Sequence, residues 1–524
     1  MLQALGGGVA AWTAAQAFRE PTWNIIRSRD ALAQTGPDVY VVTLDDCSPE
    51  YIGYYQSLLS TAYQGPIHTP ELDALLAASW TATDARAVQA LCAGSRASFL
   101  TAAPSTATGL FGEEGFVGLP PAMAAFLAEV SAGQLVSLPG FLTGLGYDTA
   151  TRGKVDHSGA LFDIPGQILH QGVYTSISAL FNDPDYSPFG ASGPDFSFMT
   201  YGALPAAVQH VDAMRVDEQI ARINEPYTGQ RVDFLGFALP HVPRTVHQPW
   251  LDLYDLAGVD LRATPAEVTA DQSDLPATAL ADVEAPYLLG LPRAEFMEAH
   301  ITEDGLKQHV RHMLATLSHT SYEVGRLQVA LDAAARPYIL VLTSDHGYML
   351  GEKGHYSKGT LYDKALRVPL AIYSSDPLPA YPVGTVDRPI SLLGLAKTVA
   401  QLVGVPDTSI PPLWEGHRFD DTSDHCTIHT WGLDAATQSE AMIFTDPNAG
   451  RTYKLIVHPG DDGELYNLTD DPGEIVNLLS DPPPPGHSEQ WVSEAEAELR
   501  RRARRRRARE WLERGGRPDD PQHM

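Results

Sequence analysis

Two β-branched runs far apart in the chain, each ending in acidic residues, constrain the fold more than any other feature. Val39-Tyr40-Val41-Val42-Thr43-Leu44 runs into Asp45-Asp46, and Tyr338-Ile339-Leu340-Val341-Leu342-Thr343-Ser344 runs into Asp345-His346. Each reads as a strand buried on both faces, the habit of a parallel sheet covered by helices. In an open α/β sheet ligands bind in the crevice at the carboxyl ends of the strands, so the two acidic tips are expected to converge there.

Between the two runs lie helix-like stretches, Asp212 to Asn224 and Gly305 to Ala335, the latter long enough to cover a sheet. Strand and helix alternate, which predicts a mostly parallel sheet with helices on both faces. From about Ser423 the pattern changes. Ala441-Met442-Ile443-Phe444 and Tyr453-Lys454-Leu455-Ile456-Val457 follow turn residues and predict a small antiparallel sheet. At 524 residues the chain exceeds what one core holds. The expected division is an N-terminal segment over 1–36, a catalytic domain over 37–422, a subdomain over 423–480, and a Pro-rich linker with a basic helical tail over 481–524.

The formal charge of −29 argues against a body that binds nucleic acid or an anionic membrane, since such binding rests on neutralising phosphate. No run approaches the roughly 20 apolar residues of a membrane span. Three cysteines, Cys47, Cys92 and Cys426, exclude a disulfide scaffold. Cys47 and Cys426 read as inert, and His247, His355 and His425 as ordinary loop histidines. The stretch from Leu2 to Phe18 reads equally as a degenerate export signal or a plain N-terminal helix, so export and cytoplasmic residence both stay open. The basic run from Arg500 to Arg509 reads as a charged exposed helix, with a polyanion-binding tail as the sharper alternative.

The chemistry centres on Leu91-Cys92-Ala93-Gly94-Ser95-Arg96-Ala97-Ser98-Phe99-Leu100-Thr101. Taken alone, Cys-x-Gly-x-Arg fits a buried thiol at a helix start. Asp45-Asp46 alone fits a strand-end cap. Other segments follow in order, however: Gly153-Lys154-Val155-Asp156-His157, Pro240-His241-Val242-Pro243, the block from Ser344 to Gly354 with Lys358 after it, and Glu464-Leu465-Tyr466-Asn467-Leu468 with Asp471-Pro472 and Asn477-Leu478. In sequence they resemble the formylglycine-dependent sulfatases, and His346 after Asp345 is similar to the iduronate-2-sulfatase group.

The resemblance implies an alkaline-phosphatase-like α/β/α sandwich with a small C-terminal antiparallel sheet. It implies hydrolysis of a sulfate ester, on a sulfated saccharide or another small sulfate ester, through a hydrated formylglycine that a formylglycine-generating enzyme makes from Cys92. Asp45, Asp46 and Asp345 offer the hard oxygens that Ca²⁺ or Mg²⁺ prefers, joined by the Cys92-derived oxygen and, by resemblance alone, His346. The same resemblance gives Arg96 and Lys154 the hydrate to hold, and His157 a proton to take as sulfate leaves. Lys154, His241 and Lys358 would bind the substrate, with His241 as the acid for the leaving oxygen.

Three positions depart from the family pattern. Gly94 stands in place of Pro or Ala, Ala102 in place of Gly, and Leu239 in place of a Lys that could meet a substrate carboxylate. A phosphoric mono- or diester hydrolase of the same superfold is the rival enzyme, because the same groups suit either tetrahedral anion. An inactive sulfatase-like binding protein is the rival of a different class, and Gly94 is the feature that favours it.

Overall fold

The computed structural model describes residues 36–110, 129, 135–156, 201–262, 274–276, 303–422, 427–431, 439–446, 450–458 and 463–480. His157, His425, Cys426, the N-terminal segment, the Pro-rich linker and the basic run lie outside them.

Seven strands build the main sheet: β1 Asp38–Leu44, β2 Trp80–Ala82, β3 Asp148–Gly153, β4 Arg231–Gly236, β5 Tyr338–Ser344, β6 Leu370–Ser374 and β7 Gly384–Val386. Their spatial order is β7-β2-β6-β5-β1-β4-β3. Within this sheet β6 runs against both its neighbours while the other pairings are parallel. The second β-branched run is therefore the central strand, and the first pairs directly with it in parallel. Thr43 lies opposite Thr343 and Leu44 opposite Ser344, so the register brings the two acidic tips out side by side.

Alternate residues of these strands serve two separate cores. Val39, Val41, Ile339 and Val341 pack under helices α2 Cys92–Thr101 and α5 Leu395–Leu402. Tyr40, Val42, Leu340 and Leu342 pack under α1 Pro70–Ala77, α3 Val211–Ile223 and α4 Glu303–Ala333. Apolar side chains on both faces explain why the strand sequences do not alternate. The covering helix spans 31 residues and sends Val310, Met313, Leu317, Val324, Leu327 and Leu331 to the sheet at helical spacing. It starts two residues before the sequence suggested, and Ala335, in a left-handed conformation at φ 53°, follows its end.

Further along, the described residues form a four-stranded antiparallel sheet, β8 Thr427–Trp431, β9 Ser439–Asp446, β10 Arg451–Val457 and β11 Gly463–Asn467, in that order. One face, with Ala441, Ile443, Ile456 and Tyr466, packs against Leu91, Met349, Leu361, Tyr362 and Leu366 of the larger unit. The architecture is the alkaline-phosphatase-like sandwich expected. Among the described residues no helix is long and apolar enough to cross a membrane.

Candidate active site

The end of β1 and the start of α2 meet at one point. Ligand atoms of Asp45, Asp46, Cys92 and His346 all lie within 4.8 Å of one another, and all four residues are buried. Asp46 sits in the left-handed region at φ 63°, a conformation Asp tolerates better than most residues, and its N–H donates to Asp345 Oδ1 at 3.2 Å. Cys92 opens α2, with its Sγ 3.4 Å from Asp45 Oδ1 and 3.1 Å from His346 Nε2.

Three cations face these carboxylates. The Lys154 ammonium pairs with Asp45 Oδ2. Lys358 donates to Asp46 Oδ1 at 2.7 Å and to Cys92 Sγ at 3.0 Å. Arg96, fully buried, donates from Nε to Asp345 Oδ2 at 2.8 Å, from Nη2 to Leu44 O at 3.3 Å, and from Nη1 to the carbonyl of Lys154. Arg96 is thus a tether joining α2, the tip of β1 and the Lys154 segment, and it does not face open space. Asp345 spends Oδ1 on the N–H groups of Asp46 and His346, which leaves it outside the four-residue cluster.

Burial alone would push both aspartates of β1 up. Instead Lys154, His241 and Arg96 hold Asp45 well below the usual carboxylate range, while His241, Lys358 and His346 hold Asp46 down at about 2. Burial, with Asp45 beside it, pushes the Cys92 thiol up despite Lys154 and Lys358, so at neutral pH it is a thiol and a poor nucleophile.

These residues fit a hard divalent cation. Burial lowers the His346 imidazole, so it is neutral, and its Nδ1–H donates to Gly347 O at 2.9 Å. That leaves a lone pair on Nε2, 3.5 Å from Asp46 Oδ1, two acceptors facing each other away from water. Asp46 Oδ2 is buried and accepts no hydrogen bond. A positive ion between these groups satisfies all of them.

Two loops bring in the remaining residues. Gly153 ends β3 at φ 77°, and a Cβ there would fall 2.0 Å from Gly236 O, so only glycine lets Lys154 follow so closely. The His241 loop is held by Asp212 in the first turn of α3, whose carboxylate accepts from Ala238 N at 2.8 Å and Leu239 N at 2.9 Å. Partly buried His241 donates from Nδ1 to Val242 O and turns Nε2 toward Asp46 Oδ2 at 3.9 Å. Burial pushes its imidazole down to about 4. Sequence reasoning missed Asp212, which carries no signal beyond its place at a helix start.

The departures find physical settings. Ala102 takes the left-handed position just after α2, at φ 47°, where a glycine would be unstrained. A Cβ on Gly94 would meet the buried Gln89 amide oxygen at 1.4 Å. Leu239 lies in the apolar cluster with Val216 and Phe237.

A doubly covered, mostly parallel sheet with a buried acidic and cationic cluster at its strand tips defines an alkaline-phosphatase-like hydrolase. The chain belongs to the Sulfatase family, whose profile matches residues 37–405, and it is a sulfuric ester hydrolase. It is 29% identical over 392 residues to a sulfatase of Formosa agariphila, an alignment that covers 70% of this chain and 69% of that protein. To the iduronate 2-sulfatase of Mus musculus it is 26% identical over 469 residues, 81% of this chain and 79% of that one. Its fold superposes on the phosphonate monoester hydrolase of Agrobacterium radiobacter with a TM-score of 0.64 at 17% identity, over 89% of this chain and 95% of that one.

Proposed function

We propose that this sulfatase cleaves the sulfate ester of a sulfated saccharide of the iduronate 2-sulfate type. The proposal includes a divalent cation held by Asp45, Asp46, Cys92 and His346, and formylglycine generated from Cys92 by a formylglycine-generating enzyme. The observation that carries it is the convergence of those four ligand atoms within 4.8 Å, with Lys154 and Lys358 against them. Asp45, Asp46 and Asp345 are matched one for one by Arg96, Lys154 and Lys358, so a divalent ion makes the centre net positive, as an anionic substrate requires. Asp345, with Oδ1 3.7 Å from His346 Nε2, belongs to the proposed ligand shell as well.

Bound there, Ca²⁺ or Mg²⁺ supplies Lewis-acid charge to oxygen. Hydrated formylglycine supplies the nucleophilic oxygen that a buried thiol does not. Lys154 and Lys358 stabilise the charge that builds on the sulfuryl oxygens. His241 is the side chain placed to protonate the leaving alcohol, because an anion bound beside it raises the imidazole's proton affinity. His157 is assigned the proton released when sulfate departs. The proposed division keeps 37–422 as the catalytic unit and 423–480 as the subdomain packed on it, with 1–36 and 481–524 as appendages.

The test is intact-mass measurement of Cys92, metal content by elemental analysis, and sulfate release from a panel of sulfated saccharides. The fold likeness to a phosphonate monoester hydrolase favours a phosphoric ester hydrolase as the second reading, so phosphate and phosphonate esters join the panel. Turnover confined to those esters would establish that alternative. Unmodified Cys92 with no bound metal and no turnover would leave the inactive binding protein.

A further inference from the structure

Four arginines stand among the largest fully buried side chains of the described residues: Arg86, Arg96, Arg231 and Arg244. The first three are each neutralised by a carboxylate: Arg86 by Asp363 at 2.7 Å, Arg96 by Asp345 at 2.8 Å, Arg231 by Asp148 at 3.1 Å. Among the described residues Arg244 has no such partner. Its Nη1 lies 3.0 Å from Nε2 of His309, an imidazole that burial and Arg244 itself keep neutral, and its guanidinium stacks 4.2 Å above the Tyr348 ring. Nε and Nη2 are buried and meet no carboxylate among the described residues, while the guanidinium also hydrogen-bonds the Tyr348 side chain. A cation enclosed in this way is costly unless something anionic is meant to join it.

The empty atoms are informative. Arg86 grips Asp363 with this same pair, Nε to Oδ1 at 2.9 Å and Nη2 to Oδ2 at 2.7 Å, the side-on fork that fits a planar carboxylate. In Arg244 the fork is open. In the sequence it stands beside the reactive centre: Arg244 follows His241-Val242-Pro243, the loop that brings His241 to Asp46, and Tyr348, over whose ring it stacks, follows His346 and Gly347. Arg244 is no more enclosed than the centre itself, where Asp45, Asp46 and His346 are 0% exposed.

We infer that Arg244 is a substrate-binding residue, the subsite for a carboxylate carried by the sugar next to the ester being cleaved. The inference deepens the proposed function and rests on it.

The experiment compares wild type with Arg244→Met and Arg244→Lys on a 2-O-sulfated methyl uronoside and on the same sugar with its carboxylate reduced to an alcohol. Wild type should prefer the uronate, and Arg244→Met should shrink that ratio of kcat/KM by about 10–100-fold, chiefly through KM, as expected for a charged hydrogen-bonded pair. Arg244→Lys should restore part of it. Melting temperature separates a binding role from a structural one: Arg244→Met should hold or raise Tm, because no ion pair is broken. An unchanged ratio in Arg244→Met overturns the assignment.

Two further outcomes remain decisive. If the methionine variant does not fold, wild type alone decides, since a sulfate-free methyl uronoside must inhibit more strongly than its reduced counterpart. If no sulfate ester is turned over, the proposed function fails. The Arg244 subsite is then judged by whether the sulfate-free uronoside raises the Tm of wild type more than the reduced sugar does, and equal shifts refute it.

Discussion

Replacing Lys454 with Met should cost the folded protein about 3–4 kcal/mol at pH 7, and the structure says where the number comes from. Lys454 is fully buried on β10 and donates to Glu474 Oε1 at 2.6 Å and to Asp363 Oδ1 at 3.2 Å. Without it Asp363 still has Arg86 at 2.7 Å and Arg367 at 2.8 Å. Glu474 retains the N–H of Asp363, at 2.7 Å, and among the described residues no cation. Its escape is to take up a proton, which for a carboxyl of ordinary pKa near 4.3 costs about 1.4 kcal/mol for each pH unit between 4.3 and 7. The sign follows from linkage. Burial already holds the Glu474 carboxyl above its ordinary value in the wild type, and loss of Lys454 raises it further, so the folded variant binds more proton than the wild type and recovers stability relative to it as pH falls from 7 toward 5. The assay is urea unfolding of wild type and variant at pH 7, 6 and 5, with Lys454→Met/Glu474→Leu as the rescue. A loss below about 1 kcal/mol at pH 7, or a loss indifferent to pH, would refute the reasoning.

Three other outcomes are expected. Gly94→Ala should lose about 1–3 kcal/mol from the collision with Gln89 and from Leu110 O at 3.0 Å, and Gln89→Ala should relieve it; simple additivity of the two in thermal unfolding would count against the steric account. Asp212→Ala strips the acceptor from two buried N–H groups on the His241 loop, at about 1–3 kcal/mol each, and should lower kcat, with Asp212→Asn retaining part. Full turnover in a destabilised Asp212→Ala variant would mean the loop holds its place unaided. Leu239→Lys puts an ammonium into an apolar cluster, so Tm should fall without improving KM for a uronate, and an improved KM would place that side chain in the substrate pocket.

How much of this was legible in the sequence depends on whether the information was local. The two strands and their acidic tips could be read because burial on both faces writes itself into consecutive residues, and the register of β1 on β5 then brings Asp45 and Asp345 together. The reversal of β6 could not be read, since direction in a sheet is decided by partners distant in the chain. Asp345 shows the same limit inside the site, because its residue type does not reveal that its oxygens are also engaged by Arg96 and by two backbone N–H groups. Arg244 and Lys454 were invisible for a further reason. A lone Arg after Pro243, or a Lys in a strand, ordinarily extends to water, and only tertiary packing reveals that both are buried, one with its fork open and the other with two carboxylates.

The buried charges outside the reactive centre acquire a common purpose when traced to the loops they hold. Lys154 follows a glycine pressed against β4, and Arg96 holds its carbonyl. His241 is carried on a loop whose N–H groups end on Asp212. Lys358 lies between Lys353, which rests about 5 Å over the Tyr362 and Tyr466 rings, and Asp363, gripped by Arg86, Arg367 and Lys454. The C-terminal sheet supplies Lys454 and Tyr466, and through Glu464 it binds Tyr362 at 2.9 Å, so it fixes that segment. Ion pairs of this kind return little net stability against apolar replacements. In the proposed mechanism their return lies in orientation: groups that would face a developing negative charge are set in place during folding, and no reorganisation is left for the moment of reaction.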